Sequence, residues 1–163
     1  MAGVTLTQNK TIVENTNRIL AVQFSGVHAS GGDDATVVNI IDLDDASSYK
    51  QDGAALSADG FANSDGSPLT DLIIEQAWID TSVIGASTFG YQLQFHSDTP
   101  IPMMFGQGNS YKSGIGATKD LSSVNGLKNP KATGWDGNIE LQVLDMGTTG
   151  DAISVTLRCI KRF

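Results

Sequence analysis

Apolar and polar residues alternate along three segments in the second half of the chain. From Phe89 to Phe95 every odd-numbered residue is apolar and every even-numbered one is Gly or Gln. Residues 139–143 and 153–159 repeat this pattern, and Cys159 takes the last apolar position. Because successive side chains of a strand point to opposite faces of a sheet, the alternation predicts half-buried β-strands. It also predicts that Cys159 is a small core residue and not a reactive thiol.

Shorter apolar runs predict further strands. Residues 18–25 carry apolar side chains at period two, and residues 36–41 form a run rich in β-branched side chains. Residues 72–79 read as another strand. Residues 100–105 are apolar but contain two prolines, which cannot donate ladder hydrogen bonds, so we expect a strand at a sheet edge there.

The spacing of these strands predicts the fold class. Clusters of Gly, Asp, Asn and Ser separate the strands, and no long segment shows the apolar spacing of a helix. Strands joined by turns without intervening helices favour two layers of antiparallel sheet. The sequence therefore predicts an all-β fold, an antiparallel β-sandwich of the jelly-roll or Ig-like type with long Gly- and Asp-rich loops.

The chain reads as one domain preceded by a short segment. Residues 1–17 are rich in Thr, Asn and Gln without a sustained period, and predict an extended N-terminal arm or a weak edge strand. Residues 18–163 then form a single β-sandwich domain, as expected for this length. Within it, residues 42–70 predict a long loop, with one helical turn over residues 54–58 as an option.

Charge changes this picture, because it is concentrated in one half of the chain. The 163 residues carry a formal charge of −8. Residues 1–80 hold ten Asp, two Glu and three basic residues, a net of −9, whereas residues 81–163 are at +1. Many of these aspartates lie in turn sequences, which explains part of the excess. The alternative is an acidic face that meets a basic partner or another copy, for which Asp44 and Asp45 are candidate contacts.

Composition also excludes classes of partner. An acidic chain is poorly suited to bind nucleic acid, since phosphate contacts need Lys and Arg. No apolar run approaches the roughly 18 residues of a membrane helix. Residues 1–8 lack the layout of a signal peptide, and the single cysteine cannot form an internal disulfide. We therefore expect assembly in a cytoplasm, with no nucleic acid and no membrane as partner.

Candidate catalytic chemistry is sparse. The two histidines, His28 and His96, are expected at the surface or at strand ends, and no Gly-x-Ser-x-Gly elbow occurs. The Gly-rich segments lack the Lys-Ser/Thr of a phosphate loop. The sequence from Asp42 fails the EF-hand pattern, although an irregular calcium site from Asp44, Asp45 or Asp52 stays open. We expect no enzyme activity, no catalytic residues, no cofactor and no resident metal.

Aromatic residues in turns are the remaining candidates for binding. Trp78 lies within a predicted strand and is expected in the core. Trp135 lies in a turn between Gly134 and Asp136, where an exposed indole would anchor a partner. Tyr111 is a second candidate contact, and Trp135 with Tyr111 would also suit stacking on a sugar.

The second half of the chain resembles a known group of proteins. The pattern runs from Trp78-Ile79-Asp80 through the alternating strand 91–95 and a Met-Met-Phe-Gly-Gln-Gly segment. It continues through Thr133-Gly-Trp-Asp-Gly-Asn-Ile139 to a final Gly-Asp, alternating strand and basic tail. Over roughly residues 72–163 this resembles small β-sandwich structural proteins of tailed-phage virions, of the decoration or neck type. The acidic first half has no counterpart in that pattern.

The resemblance implies a non-enzymatic virion structural protein, assembled in the host cytoplasm. Capsid decoration (cement) is the favoured role, with binding to the outer capsid lattice through the major capsid protein or another virion protein. Self-association into a trimer or ring would cover free sheet edges. A neck or tail connector of the same particle and a carbohydrate-binding β-sandwich module are the alternatives. The position in the particle, the copy number and the outward face stay open.

Overall fold

The chain folds into strands that form two sheets in a computed structural model. The structure describes residues 4–31, 35–85, 89–107, 115–120 and 126–163. The strands are β1 (Thr5–Asn15), β2 (Ile19–Ser30), β3 (Thr36–Ile41), β4 (Lys50–Gln51), β5 (Ala54–Ala55), β6 (Asp71–Ser82), β7 (Gly90–Phe95), β8 (Ile101–Gln107), β9 (Ile115–Asp120), β10 (Leu127–Lys128), β11 (Ile139–Leu144) and β12 (Ala152–Arg162). One 3₁₀ turn, Ala46–Ser48, is the helical element among the described residues. The all-β prediction is confirmed.

The two sheets differ in size, and each takes its strands from both halves of the chain. The large sheet has the order β10-β6-β12-β2-β1-β4-β5, and β9 also pairs with β6. The small sheet has the order β3-β11-β7-β8, with antiparallel neighbours throughout. The prediction that the proline-containing strand lies at an edge is confirmed, since β8 ends the small sheet.

One hydrophobic core is shared by both sheets. In β12 the alternate residues Ile153, Val155, Leu157 and Cys159 are at most 1% exposed, as their alternation predicts. They join one cluster with buried side chains of β7 and β11 from the small sheet, such as Leu93. Burial in this core also raises the pKa of the Cys159 thiol well above its ordinary value.

The segment expected as an arm or weak edge strand is β1. It pairs antiparallel with β2 from Thr5 opposite Ser30 to Asn15 opposite Leu20. Its other side meets β4 in a parallel contact at Thr11. In this chain β1 is thus an inner strand of the large sheet, and the domain boundary after residue 17 stays a prediction.

The optional helical turn over residues 54–58 does not form within the predicted long loop. Ala54 and Ala55 form β5, which pairs antiparallel with β4. The two connecting residues, Asp52 and Gly53, both have positive φ, at 51° and 83°. That conformation is typical of the tight Asp-Gly hairpin turn, so turn chemistry decides the local structure here.

The assignment of Trp78 to the core is wrong. Its neighbours Ala77 and Ile79 are buried, whereas Trp78 is half-buried on the other face of β6. A register irregularity between Arg158 and Cys159 inserts an extra β6 residue opposite β12. Such a bulge reverses the alternation of side chains along the strand. The residues that face the core are therefore Leu72 and Ile74 before the bulge and Ala77 and Ile79 after it.

Candidate interaction surfaces

The residues 42–66, called here the acidic segment, carry six aspartates and one lysine, a net charge of −5. Two buried aromatic rings anchor this segment: Tyr49 and Phe61 pack edge to face with centroids 5.1 Å apart. The Tyr49 hydroxyl donates to the Ile40 carbonyl and accepts from the Asp42 N–H, both at 2.8 Å. These contacts hold the turn so that Asp44 and Asp45 are exposed, as a partner contact requires.

Lys10 of β1 partly offsets the charge of this segment. Its Nζ lies 5.1 Å from the centroid of the Tyr49 ring. Burial lowers the pKa of Lys10, while the nearby charges of Asp42 and Asp45 act in the opposite direction. The remaining aspartates of the segment lie in exposed turns, so its surface stays negative.

The geometry of the acidic segment bears on the calcium alternative. One Asp42 oxygen accepts from Asn39 Nδ2 at 2.8 Å and the other from the Asp44 N–H at 3.1 Å. Asp45 Oδ1 accepts from Ser47 Oγ at 2.8 Å. Within the described part of the chain, no three His, Cys, Asp or Glu side chains come close enough to hold a metal ion. The carboxylates of Asp42 and Asp45 therefore organise the turn itself.

Trp135 lies half-buried in the loop between β10 and β11. The ammonium of Lys131 sits over its indole, 4.6 Å from the ring centroid, which is a cation–π contact. Nothing in the described residues accepts a hydrogen bond from Trp135 Nε1. The other aromatic candidate, Tyr111, falls outside the described residues.

The loop that carries Trp135 is joined to the acidic segment. Asn138 Oδ1 accepts a hydrogen bond of 2.8 Å from the N–H of Leu43, the residue before Asp44. Gly137 fits between Leu43 and the Thr70 carbonyl, where a Cβ atom would come within 2.7 and 2.6 Å of them. The predicted contacts Trp135, Asp44 and Asp45 therefore come from two loops that pack against each other.

A cleft with basic walls, called here the basic cleft, lies beside these loops. It has a volume of about 370 Å³, and its charged walls are Lys128, Lys131, Arg162 and Asp71. Lys131 Nζ lies 3.6 Å from Asp71 Oδ2, so one cation is paired and the cleft keeps a net charge of +2. The acidic chain therefore carries a local positive site.

Sequence reasoning missed this cleft because its residues are dispersed. Lys128 ends β10, Lys131 follows in a loop with φ of +56°, and Arg162 ends β12. Pairing of β6 with both β10 and β12 brings them together. The sequence does show an excess of basic residues near the C-terminus. Only the pairing of the strands shows that these basic residues lie beside Asp71.

Two rows of the outer face of the large sheet are almost uncharged, whereas the next row contains Arg158 with Glu14 and Glu75 as its ion-pair partners. Cross-strand pairing aligns Trp78, Thr156, Gln23 and Thr11 in one row. The next row comprises Asp80, Ser154, Ser25 and Asn9. Asp80 is the one charged side chain in these two rows, so the face offers hydroxyl and amide groups.

The histidines lie in different environments. His28 is 2% exposed within β2, which corrects its expected place at the surface. It continues the inward alternation of Leu20, Val22 and Phe24, so the pattern itself extends to this position. His96 directly follows β7 and is partly exposed, as expected of a strand-end residue.

His96 belongs to a polar cluster on the small sheet. Its Nδ1 lies 2.7 Å from Asp136 Oδ2, and its Nε2 lies 3.8 Å from Glu140 Oε1. The other Glu140 oxygen accepts from the buried Gln94 amide at 2.8 Å. These contacts connect β7, β11 and the Trp135 loop, so the cluster positions that loop on the sheet.

No helix within the described ranges has the length and apolar character needed to cross a membrane. Comparison of the chain with protein-family models, with curated proteins and with solved structures finds no match.

Proposed function

We propose that the chain is a non-enzymatic virion structural protein that binds a capsid lattice from outside, as a decoration or cement protein. The observation that carries the proposal is the outer face of the large sheet. Its two rows extend over four long strands and present Thr, Ser, Asn and Gln side chains with little charge. A broad polar surface of this kind fits another folded protein surface over a wide area, with many modest contacts.

Two further features support this proposal. The shared core supports the finer assignment of the two sheets as a β-sandwich of the jelly-roll or Ig-like type, with long Gly- and Asp-rich loops. The pattern of residues 72–163, which resembles virion β-sandwich proteins, provides β6, β7, β8, β11 and β12. The partner is a capsid protein, and the chain also associates with itself.

Binding to capsid shells tests the proposal. Purified protein is sedimented with expanded shells of the same particle, and bound protein is quantified against shell protein. Saturable binding is expected, and Gln23→Lys should weaken it because it places a charge in the centre of the outer face. Thr149→Lys is the matched control, since this exposed turn residue lies outside the two rows. Wild-type protein that stays in the supernatant overturns the proposal.

Trp78 favours a carbohydrate-binding module as the second candidate. Its half-buried indole lies in a row of hydroxyl and amide side chains, a combination that suits stacking and hydrogen bonding with a sugar ring. A glycan array that gives binding, lost in Trp78→Ala, would favour this candidate. Binding to shells without binding to glycans favours the decoration protein.

A further inference from the structure

The basic cleft contains a buried donor that lacks an acceptor. Asn129 lines the cleft and is 6% exposed. Its Oδ1 accepts from the Lys131 N–H at 2.9 Å, which fixes the orientation of the amide. Its Nδ2 finds no acceptor among the residues that the structure describes. Because a buried donor without a partner is unfavourable, this group indicates a ligand that supplies an acceptor oxygen.

The charges around Asn129 specify the kind of acceptor. Lys128 and Arg162 are exposed cations at the cleft, and Asp71 is already engaged by Lys131. An anionic oxygen would meet these two cations together with the free amide N–H, as charge-assisted hydrogen bonds require. The ligand chemistry that fits is a carboxylate or similar oxyanion.

The chain itself exposes such groups next to the cleft. Asp44 and Leu69 line a neighbouring depression of about 320 Å³. Thr70, which follows Leu69 in the chain, lines the basic cleft. The acidic segment and the basic cleft therefore lie side by side at one end of the molecule. Two copies related by a two-fold axis would pair the acidic segment of each with the cleft of the other.

We propose that the basic cleft binds carboxylates of the acidic segment of a second copy, forming a symmetric pair. This deepens the self-association in the proposed function and rests on it. Asp44 and Asp45 are exposed carboxylates of the acidic segment, and Lys128, Arg162 and Asn129 receive them. The pair weakens as salt increases, because its contacts lie between charges at the surface.

Charge reversal in solution tests the pairing without capsid shells. Variant one is Lys128→Glu with Arg162→Glu, and variant two is Asp44→Lys with Asp45→Lys. Sedimentation equilibrium at low salt should show that wild type self-associates and that each variant alone does so at least about tenfold more weakly. When the two variants are mixed, the pair should form again. The acidic cleft of variant one then meets the basic segment of variant two, and the unchanged cleft of variant two meets the unchanged segment of variant one.

Controls separate charge complementarity from damage to the fold. Arg18→Glu changes an exposed cation outside the cleft and should leave association unchanged. Addition of citrate should compete with the pair in wild type. A monomeric wild type, mixed variants that fail to associate, or citrate binding without any self-association overturns the inference. Shell binding with a monomeric wild type in solution would overturn the pairing and the self-association in solution, and would leave the proposed binding to the capsid standing.

Discussion

The strand pair β6–β12 and the acidic segment keep their conformations by different interactions. β6 and β12 are joined by a backbone ladder from Ser82 opposite Ala152 to Asp71 opposite Arg162, interrupted by one bulge. The acidic segment has only the short strands β4 and β5, and it depends on side chains that reach the backbone of distant residues. Asn15 Nδ2 donates to the Gly60 carbonyl at 2.8 Å, and Lys161 Nζ donates to the Phe61 carbonyl at 3.2 Å.

This difference shows where single side chains matter most. In the strand pair the backbone hydrogen bonds are distributed over many residues. A polar substitution on the outer face should therefore lower the free energy of unfolding only slightly. The acidic segment is held by a few buried groups, above all its own Tyr49 and Phe61 and Lys161 of β12, which connect the loop to both sheets. We therefore expect the segment to be sensitive to a small number of substitutions.

Removal of the Tyr49 ring should have the largest effect. Tyr49→Ala creates a cavity and leaves the Asp42 N–H and the Ile40 carbonyl without their partner, so the free energy of unfolding should fall by about 3–5 kcal/mol. Urea unfolding measures this value. Ser57→Ala, an exposed position in the same segment, should change it by less than about 0.5 kcal/mol. A loss below about 1 kcal/mol for Tyr49→Ala would contradict the role of the ring as an anchor.

A Cβ atom at Gly137 should have the next largest effect. Gly137 has φ of +86°, and a Cβ there would approach the Thr70 carbonyl oxygen to 2.6 Å, so the two loops must separate. Gly53 has φ of +83° but nothing within 4 Å of its Cβ position. Gly53→Ala should therefore lower the free energy of unfolding only by the left-handed backbone strain, about 1–2 kcal/mol. Gly137→Ala should lower it distinctly more. Equal losses in thermal unfolding would show that the loops do not pack closely at Gly137.

The smallest effect is a pH dependence from Lys161. This side chain is 5% exposed, and burial lowers its pKa below the ordinary value of 10.5. In the window between the two pKa values the unfolded chain binds the proton more strongly, so stability rises as pH increases towards 10.5. The stability of wild type relative to Lys161→Met should thus increase from neutral pH to 10.5. Since Lys10 is present in both proteins, its own titration cancels, and a difference that is independent of pH would contradict the assignment.

Much of the fold could be predicted from alternation alone. The strands around residues 90–95, 139–144 and 152–162 follow directly from it, because one face of each is buried in the shared core. The errors come from features that do not repeat. The bulge in β6 places Trp78 on the outer face, and the Asp52-Gly53 turn forms a hairpin within the segment predicted as a long loop.

The candidate site was predictable only in part. Exposure of Asp44 and Asp45 follows from their place in a polar turn, and the structure connects that turn to the loop of Trp135 through Asn138. The basic cleft depends on the pairing of β6 with β10 and β12, which are distant in the chain. Local pattern carries no information on that pairing, so Lys128, Asn129 and Arg162 could not be grouped in advance.

The position and copy number of the chain in an intact particle test the central proposal most directly. Quantitative mass spectrometry of purified virions, with imaging of the same particles, measures both. The account predicts hundreds of copies distributed over the outer shell. Absence of the chain from the virion would contradict it, and a single ring at one vertex would assign the chain to the neck or tail.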